Sequence, residues 1–144
     1  MEDVLAYLEL KNRYYEKFLN LTEKFLVGAR QNRWEGLELF VDSRERILNI
    51  IRSFDFKIAQ AFEAAKLDNQ QIEFFRPQVK ELMDRRDSLV SKIVSVDLDL
   101  MQHLEDVRSE TIRDLKKTIS VGQKIQSFEE SESPEIRKQF KHTA

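Results

Sequence analysis

The sequence predicts an all-α protein: an antiparallel bundle of three long helices with a short, mobile fourth helix at its C-terminal end. Three observations predict it. Three segments repeat apolar residues at steps of three, four and seven, which places them along one side of a helix. Only three Gly and two Pro interrupt the 144 residues. Charged residues make up 35% of the chain and hydrophobic residues 41%. That charged share exceeds the usual quarter and suits long helices with much solvated surface.

The first helix is expected from Val4 to about Ala29, with Val4, Leu8, Tyr15, Phe18, Leu19, Phe25 and Leu26 as its apolar face. Glu9 and Arg13 stand four apart in the favourable order for a helical ion pair. Gly28 sits where a C-terminal cap would call for left-handed backbone. Gln31-Asn32-Arg33 is the expected turn, and Asn32 with Glu35 forms a candidate capping box. The second helix then starts near Arg33, with an apolar stripe through Leu37, Phe40, Val41, Ile47, Leu48, Ile51, Phe54, Ile58, Ala61, Phe62 and Ala65. So short a link makes the first two helices an antiparallel hairpin. Phe40, Phe54 and Phe62 read as core.

The next break is Leu67 to Gln71, where Asp68 and Gln71 form a second candidate capping box. Pro77 is either the first residue of the third helix or a kink one or two turns in. The third helix is expected from Val79 to Val121. Its stripe is Val79, Leu82, Leu89, Ile93, Val96, Leu100, Leu104, Val107, Thr111 and Leu115. Val94 to Leu100 alternates like a strand, but no second alternating run could pair with it, so it reads as helix. Gly122 is the expected third break. A bundle over residues 1–121 would then be followed, over 122–144, by a short helix from Gln123 to Glu130 and a flexible tail.

The composition excludes several classes of function. Basic and acidic residues number 24 and 26, mixed along the chain, unlike the one-sided basic face of a nucleic-acid binder. There is no cysteine, hence no disulfide, thiolate metal site or cysteine nucleophile. MEDVLAYLEL starts acidic and its apolar run is broken by Glu9, unlike a secretory signal. No apolar run approaches the ~20 residues that span a bilayer, and the expected location is the cytoplasm. His103, flanked by Asp99 and Asp106, lacks the second histidine that a bundle metal site needs. The glycines are isolated and cannot form a phosphate loop. No catalytic residue, metal ligand or cofactor is expected, and the chain is not expected to be an enzyme.

The functional argument is an excess of apolar helix surface. A third helix of about 40 residues would be about 60 Å long, at about 1.5 Å per residue. Its stripe exceeds what the first two helices can cover, and partly covered grooves accept amphipathic partner helices. The candidate protein-binding residues are Leu89, Ile93, Val96, Leu100, Leu104 and Val107, with Phe54 and Ile58 opposite. Ile125 and Phe128 follow the glycine break, and either fold back on the bundle or await a partner. A structural coiled-coil dimer or adaptor, in which the same stripe pairs with itself, is the alternative.

Three stretches carry a resemblance to a known family. Leu21 to Leu26 lies in the first helix. Asn32-Arg33-Trp34-Glu35-Gly36-Leu37 through Ser43-Arg44-Glu45-Arg46-Ile47-Leu48 covers a turn, a tryptophan and the opening of the second. Leu115-Lys116-Lys117 through Gly122-Gln123-Lys124-Ile125-Gln126-Ser127-Phe128 is a basic ending with an aromatic after a Gly-Lys stretch. Together, over about residues 5 to 128, the chain resembles the flagellar type III export chaperones of the filament-cap protein, the FliT-like family. The aromatic in the last stretch is usually Tyr there. The sister chaperones of the hook–filament junction proteins are similar. The resemblance implies a cytoplasmic chaperone that binds the C-terminal helical segment of its client, prevents premature assembly and delivers it to the export gate and its ATPase. It also implies that Gln123 to Glu130, through Ile125 and Phe128, covers the empty client site.

Overall fold

In the computed structural model, residues 1–130 are described, with side chains through Lys124. Every regular element among them is helical: α1 (Glu2–Arg30), α2 (Leu37–Ala65) and α3 (Asn69–Glu130). The chain divides into two compact units, Met1–His103 and Leu104–Ala144. The division falls inside α3. Its physical reason is burial, since Leu100 is the last buried residue of α3 among the described side chains.

The first unit is an up-down-up bundle. α1 and α2 run antiparallel, as expected, with Lys11 paired to Asp55 near one end and Phe25 stacked on Phe40 near the other, ring centroids 4.2 Å apart. α1 and the first part of α3 run parallel at a nearly constant offset. Asn12 donates to the Leu82 carbonyl at 2.9 Å, Arg85 pairs with Glu16, and Arg30 pairs with Asp99 at 3.1 Å.

Two apolar clusters form the core. Phe18 and Leu19 of α1 meet Leu89 and Ile93 of α3, with Tyr15, Ile47 and Leu48 around them. Leu26 and Ala29 meet Phe40 and Leu100, bordered by Phe25 and Trp34, and Val96 packs against both clusters. Burying each large side chain contributes roughly 1.5–3 kcal/mol. Arg44 crosses between α2 and α3. Its guanidinium lies 4.5 Å from the Phe18 ring centre and bonds Asp97 at 2.8 Å. Two polar residues are also fully inside. Thr22 returns its hydroxyl to the Phe18 carbonyl, and Asn12 uses its amide to fix α1 against α3, since a buried amide without a partner would be costly.

The first link differs from the sequence reading. α2 starts at Leu37, not near Arg33, and the Asn32–Glu35 capping box does not form. Asn32 and Gly36 both hold left-handed backbone, at φ 59° and 78°. Arg33 N–H bonds the Gly28 carbonyl at 2.8 Å, closing the end of α1. The chain thus spends Gln31–Gly36 on a turn that carries Trp34 back over Phe25, edge to face at 5.9 Å. Gly36 supplies the positive φ at the entrance of α2 that a residue with a Cβ resists. At the second link the expected box is present. Asp68 N–H donates to Gln71 Oε1 at 3.1 Å and Gln71 N–H to Asp68 Oδ1 at 2.8 Å. α3 therefore starts at Asn69, and of the two readings of Pro77 the one inside the helix holds.

In the second unit, α3 continues through Gly122, where a break was expected; a Cβ there would meet nothing within 4 Å. Val107 and Ser109 are half-buried, and every other side chain from Leu104 to Lys124 is exposed. The expected packing of Gln123 to Glu130 as a separate short helix, with Ile125 and Phe128 as its apolar side, lies outside the described side chains, as does the tail.

Candidate functional site: an apolar trough at the open end of the bundle

The first turns of α3 help build a site that the sequence reading did not place. The first turns of α1, the last turns of α2 and the first turns of α3 surround an open trough of about 720 Å³. Met1 precedes α1, and Val4 and Leu8 come from it. Ile58, Ala59 and Phe62 come from α2, Leu67 from the link, and Ile72, Val79 and Met83 from α3. A second hollow of about 170 Å³ shares Leu8, Ile58 and Met83 with the trough and reaches Asn12 and Leu82.

The local sequence explains the walls. Ile72, Arg76, Val79 and Met83 recur at four, three and four, so they form one side of α3. Ile58, Ala59 and Phe62 do the same on α2. Ala59 is exposed on the same wall and adds little side-chain volume to it. Val4 is 3% exposed and belongs to the floor, while Phe62 is 47% exposed and stands at the lip. Thirteen residues line the trough and only Asp55, Arg76 and Lys80 carry charged side chains.

The charges sit at the rim. Asp55 is neutralised by Lys11 of α1. Arg76 and Lys80 are one turn apart on α3, paired within their own helix to Glu73 at 2.7 Å and Asp84 at 3.1 Å. Exposed pairs of this kind contribute little, so both cations can turn to a carboxylate entering the trough. No nucleophile or acid–base pair lies on its walls, and among the described residues no group of three potential metal ligands converges. Among those residues, no helix is long and apolar enough to cross a membrane. What the trough offers is apolar contact area of the volume typical of ligand sites, open along one side.

The expected binding residues are divided among three places. Leu89, Ile93, Leu100 and Phe54 are buried in the bundle, and Val96 packs against both core clusters. These five side chains are occupied by the chain's own helices. Ile58 lines the trough. Leu104 is 40% exposed and Val107 half-buried, both in the second unit. Ile125 and Phe128 lie outside the described side chains. Phe62, read as core, is a trough residue, and Val41 of the same stripe is 53% exposed.

Sequence reasoning missed Val4, Leu8, Ala59, Leu67, Ile72 and Met83 as site residues. The Asp68–Gln71 capping box was the available signal. It sets the start of α3 at Asn69, and from there the Ile72–Val79–Met83 side follows. Comparison with protein-family models, with curated proteins and with solved structures returns no match for this chain.

Proposed function

We propose that the chain is a cytoplasmic export chaperone of the flagellar type, which seats an amphipathic client helix in the apolar trough of its first unit. The trough is the observation that carries this reading. It is long-walled, apolar, open on one side and rimmed by cations, which suits a helix with an apolar ridge and acidic flanks. The client would be the C-terminal helical segment of a filament-cap-type protein, held back from assembly and passed to the export gate or its ATPase. The resemblance of Asn32–Leu48 and Leu115–Phe128 to that chaperone family supports the identity of the client, and the trough supports the mode of binding. In this reading the chain has no catalytic role and needs no cofactor.

The test is a titration of the fluorescently labelled C-terminal helical segment of the same cell's filament-cap protein with the full chain. Ile58→Asp should weaken binding by at least tenfold, since each covered aliphatic side chain contributes roughly 1.5–3 kcal/mol. No saturable binding at about 100 µM, or equal binding by Ile58→Asp, would remove the chaperone reading. The structural alternative, a coiled-coil dimer or adaptor, draws support from the exposed apolar residues of the second unit.

A further inference from the structure

The inner end of the trough is polar. The adjoining hollow of about 170 Å³ shares Asp55 with it, as well as Leu8, Ile58 and Met83, and adds Lys11, Asn12 and Arg86. Met83 lies eleven residues beyond Ile72 on α3. The hollow therefore stands about 16 Å in from the outer end of the trough, at about 1.5 Å per residue. Four cations, Lys11, Arg76, Lys80 and Arg86, line the two spaces against one carboxylate, Asp55. The surface partners of three of them, Glu73, Asp84 and Asp87, line neither space. Lys11 is the fourth; its side chain is 11% exposed and its ammonium meets Asp55. An ammonium carries three N–H groups and a guanidinium five. Arg86 turns two of its own to Asp87, at 3.1 and 2.8 Å.

We propose that the hollow takes the terminal carboxylate of the client helix, which enters the trough with its C-terminus leading. The proposal rests on the reading of the trough as a client site, and names the end of the client that it holds. The last turn of a helix exposes carbonyls without partners, equivalent to about half a negative charge, and the chain terminus adds a full one. Both meet cations at the inner end when the C-terminus leads. With the N-terminus leading, the positive end of the helix would face Lys11 and Arg86. The length of the trough sets the reach. About 16 Å holds about three helical turns, so the last turns of the client lie on the apolar walls and its carboxylate comes level with Asp55 and Met83. Arg76 and Lys80 then flank the body of the helix, and Lys11 and Arg86 meet its end. The hollow has room beside a carboxylate for a few waters, at about 30 Å³ each. Charge-assisted bonds to a carboxylate are stronger than neutral ones, so these cations distinguish a chain terminus from a helix that runs on.

The experiment titrates the filament-cap segment, labelled at its N-terminus, with the full chain. The segment is made in three forms: with a free C-terminal acid, with a C-terminal amide, and with a short extension past its end. The acid should bind roughly three- to tenfold more tightly than the amide or the extended form. Arg86→Gln should weaken binding of the acid and bring the ratio of acid to amide toward one. Arg86 is 33% exposed, so that variant should keep the helical circular dichroism of the parent. Lys80→Gln, on the rim away from the hollow, should weaken both forms alike and preserve the ratio. Acid and amide binding alike, with Ile58→Asp still weakening both, would overturn this proposal and leave the trough as a client site. The same equality with dodecanoate displacing both forms would hand the hollow to a small carboxylate, and would overturn it too. A preference for the acid that survives in both Arg86→Gln and Lys11→Gln would place the carboxylate elsewhere and overturn the assignment. No binding of any form would remove the client reading and this proposal with it.

Discussion

The two ends of the first unit are built from the same three helices, yet one is filled and the other open. At the filled end Phe25 stacks on Phe40, Trp34 meets Phe25 edge to face, and Leu26, Ala29 and Leu100 close the remaining space. At the open end, the corresponding stretch of α2 offers Ala59, and Phe62 turns out to the lip. The difference lies in side-chain volume, not in polarity. Both ends are apolar, but helices held about 8–10 Å apart need large side chains to fill the space between them. At the open end Ala59 adds little volume and Phe62 is 47% exposed, and a trough remains. The turn before α2 reinforces the contrast, because Gly36 lets the chain swing Trp34 over the filled end. The three-residue link at the other end brings only Leu67 to the trough.

This comparison can be broken by exchanging volumes between the ends. Phe40→Ala should have the largest effect. It removes a stacked ring from a closed cluster, and the expected loss is about 3–5 kcal/mol, read as a lower midpoint in urea denaturation. The matching truncation at the lip, Phe62→Ala, should cost under about 1 kcal/mol in the same measurement, because the ring is already half in water. Equal losses from the two would show that the ends are packed alike.

Filling the trough should act in the opposite direction on stability. Ala59→Leu adds apolar volume where there is space, and is expected to stabilise by about 1 kcal/mol, a few degrees in thermal melting. The same change should lower affinity for a helical client several-fold. A destabilised Ala59→Leu protein would mean that the trough is smaller than 720 Å³ in solution.

The smallest of these effects concerns the link that sets the trough's third wall. Asp68→Ala removes the acceptor for Gln71 N–H and leaves one end of the reciprocal pair. The expected cost is about 1 kcal/mol, with hydrogen exchange rising first at Gln71 and Ile72. Uniform exchange along the whole of α3 would show that its first turns do not depend on this cap.

The sequence made much of this legible. Helical periodicity identified all three helices, because an amphipathic stripe is a local property. It also picked out the residues that became core: Phe18, Leu19, Leu26, Phe40, Phe54, Leu89, Ile93 and Leu100. The site was less legible. Leu89, Ile93 and Leu100 have the same spacing whether a helix of this chain or a partner's helix covers them, so periodicity could not say which covering occurs. Asn32–Glu35 and Asp68–Gln71 match the capping pattern equally well. Only the second forms, because the first link gives its residues to closing α1 and placing Trp34.

The sequence by itself determined the helices, their order and their apolar sides, since these depend on residues a few positions apart. Tertiary structure decided which of those sides are consumed and which remain. That outcome depends on the offset of about seventy residues between α1 and α3. Such an offset arises from packing across long sequence separations, and no local pattern encodes it.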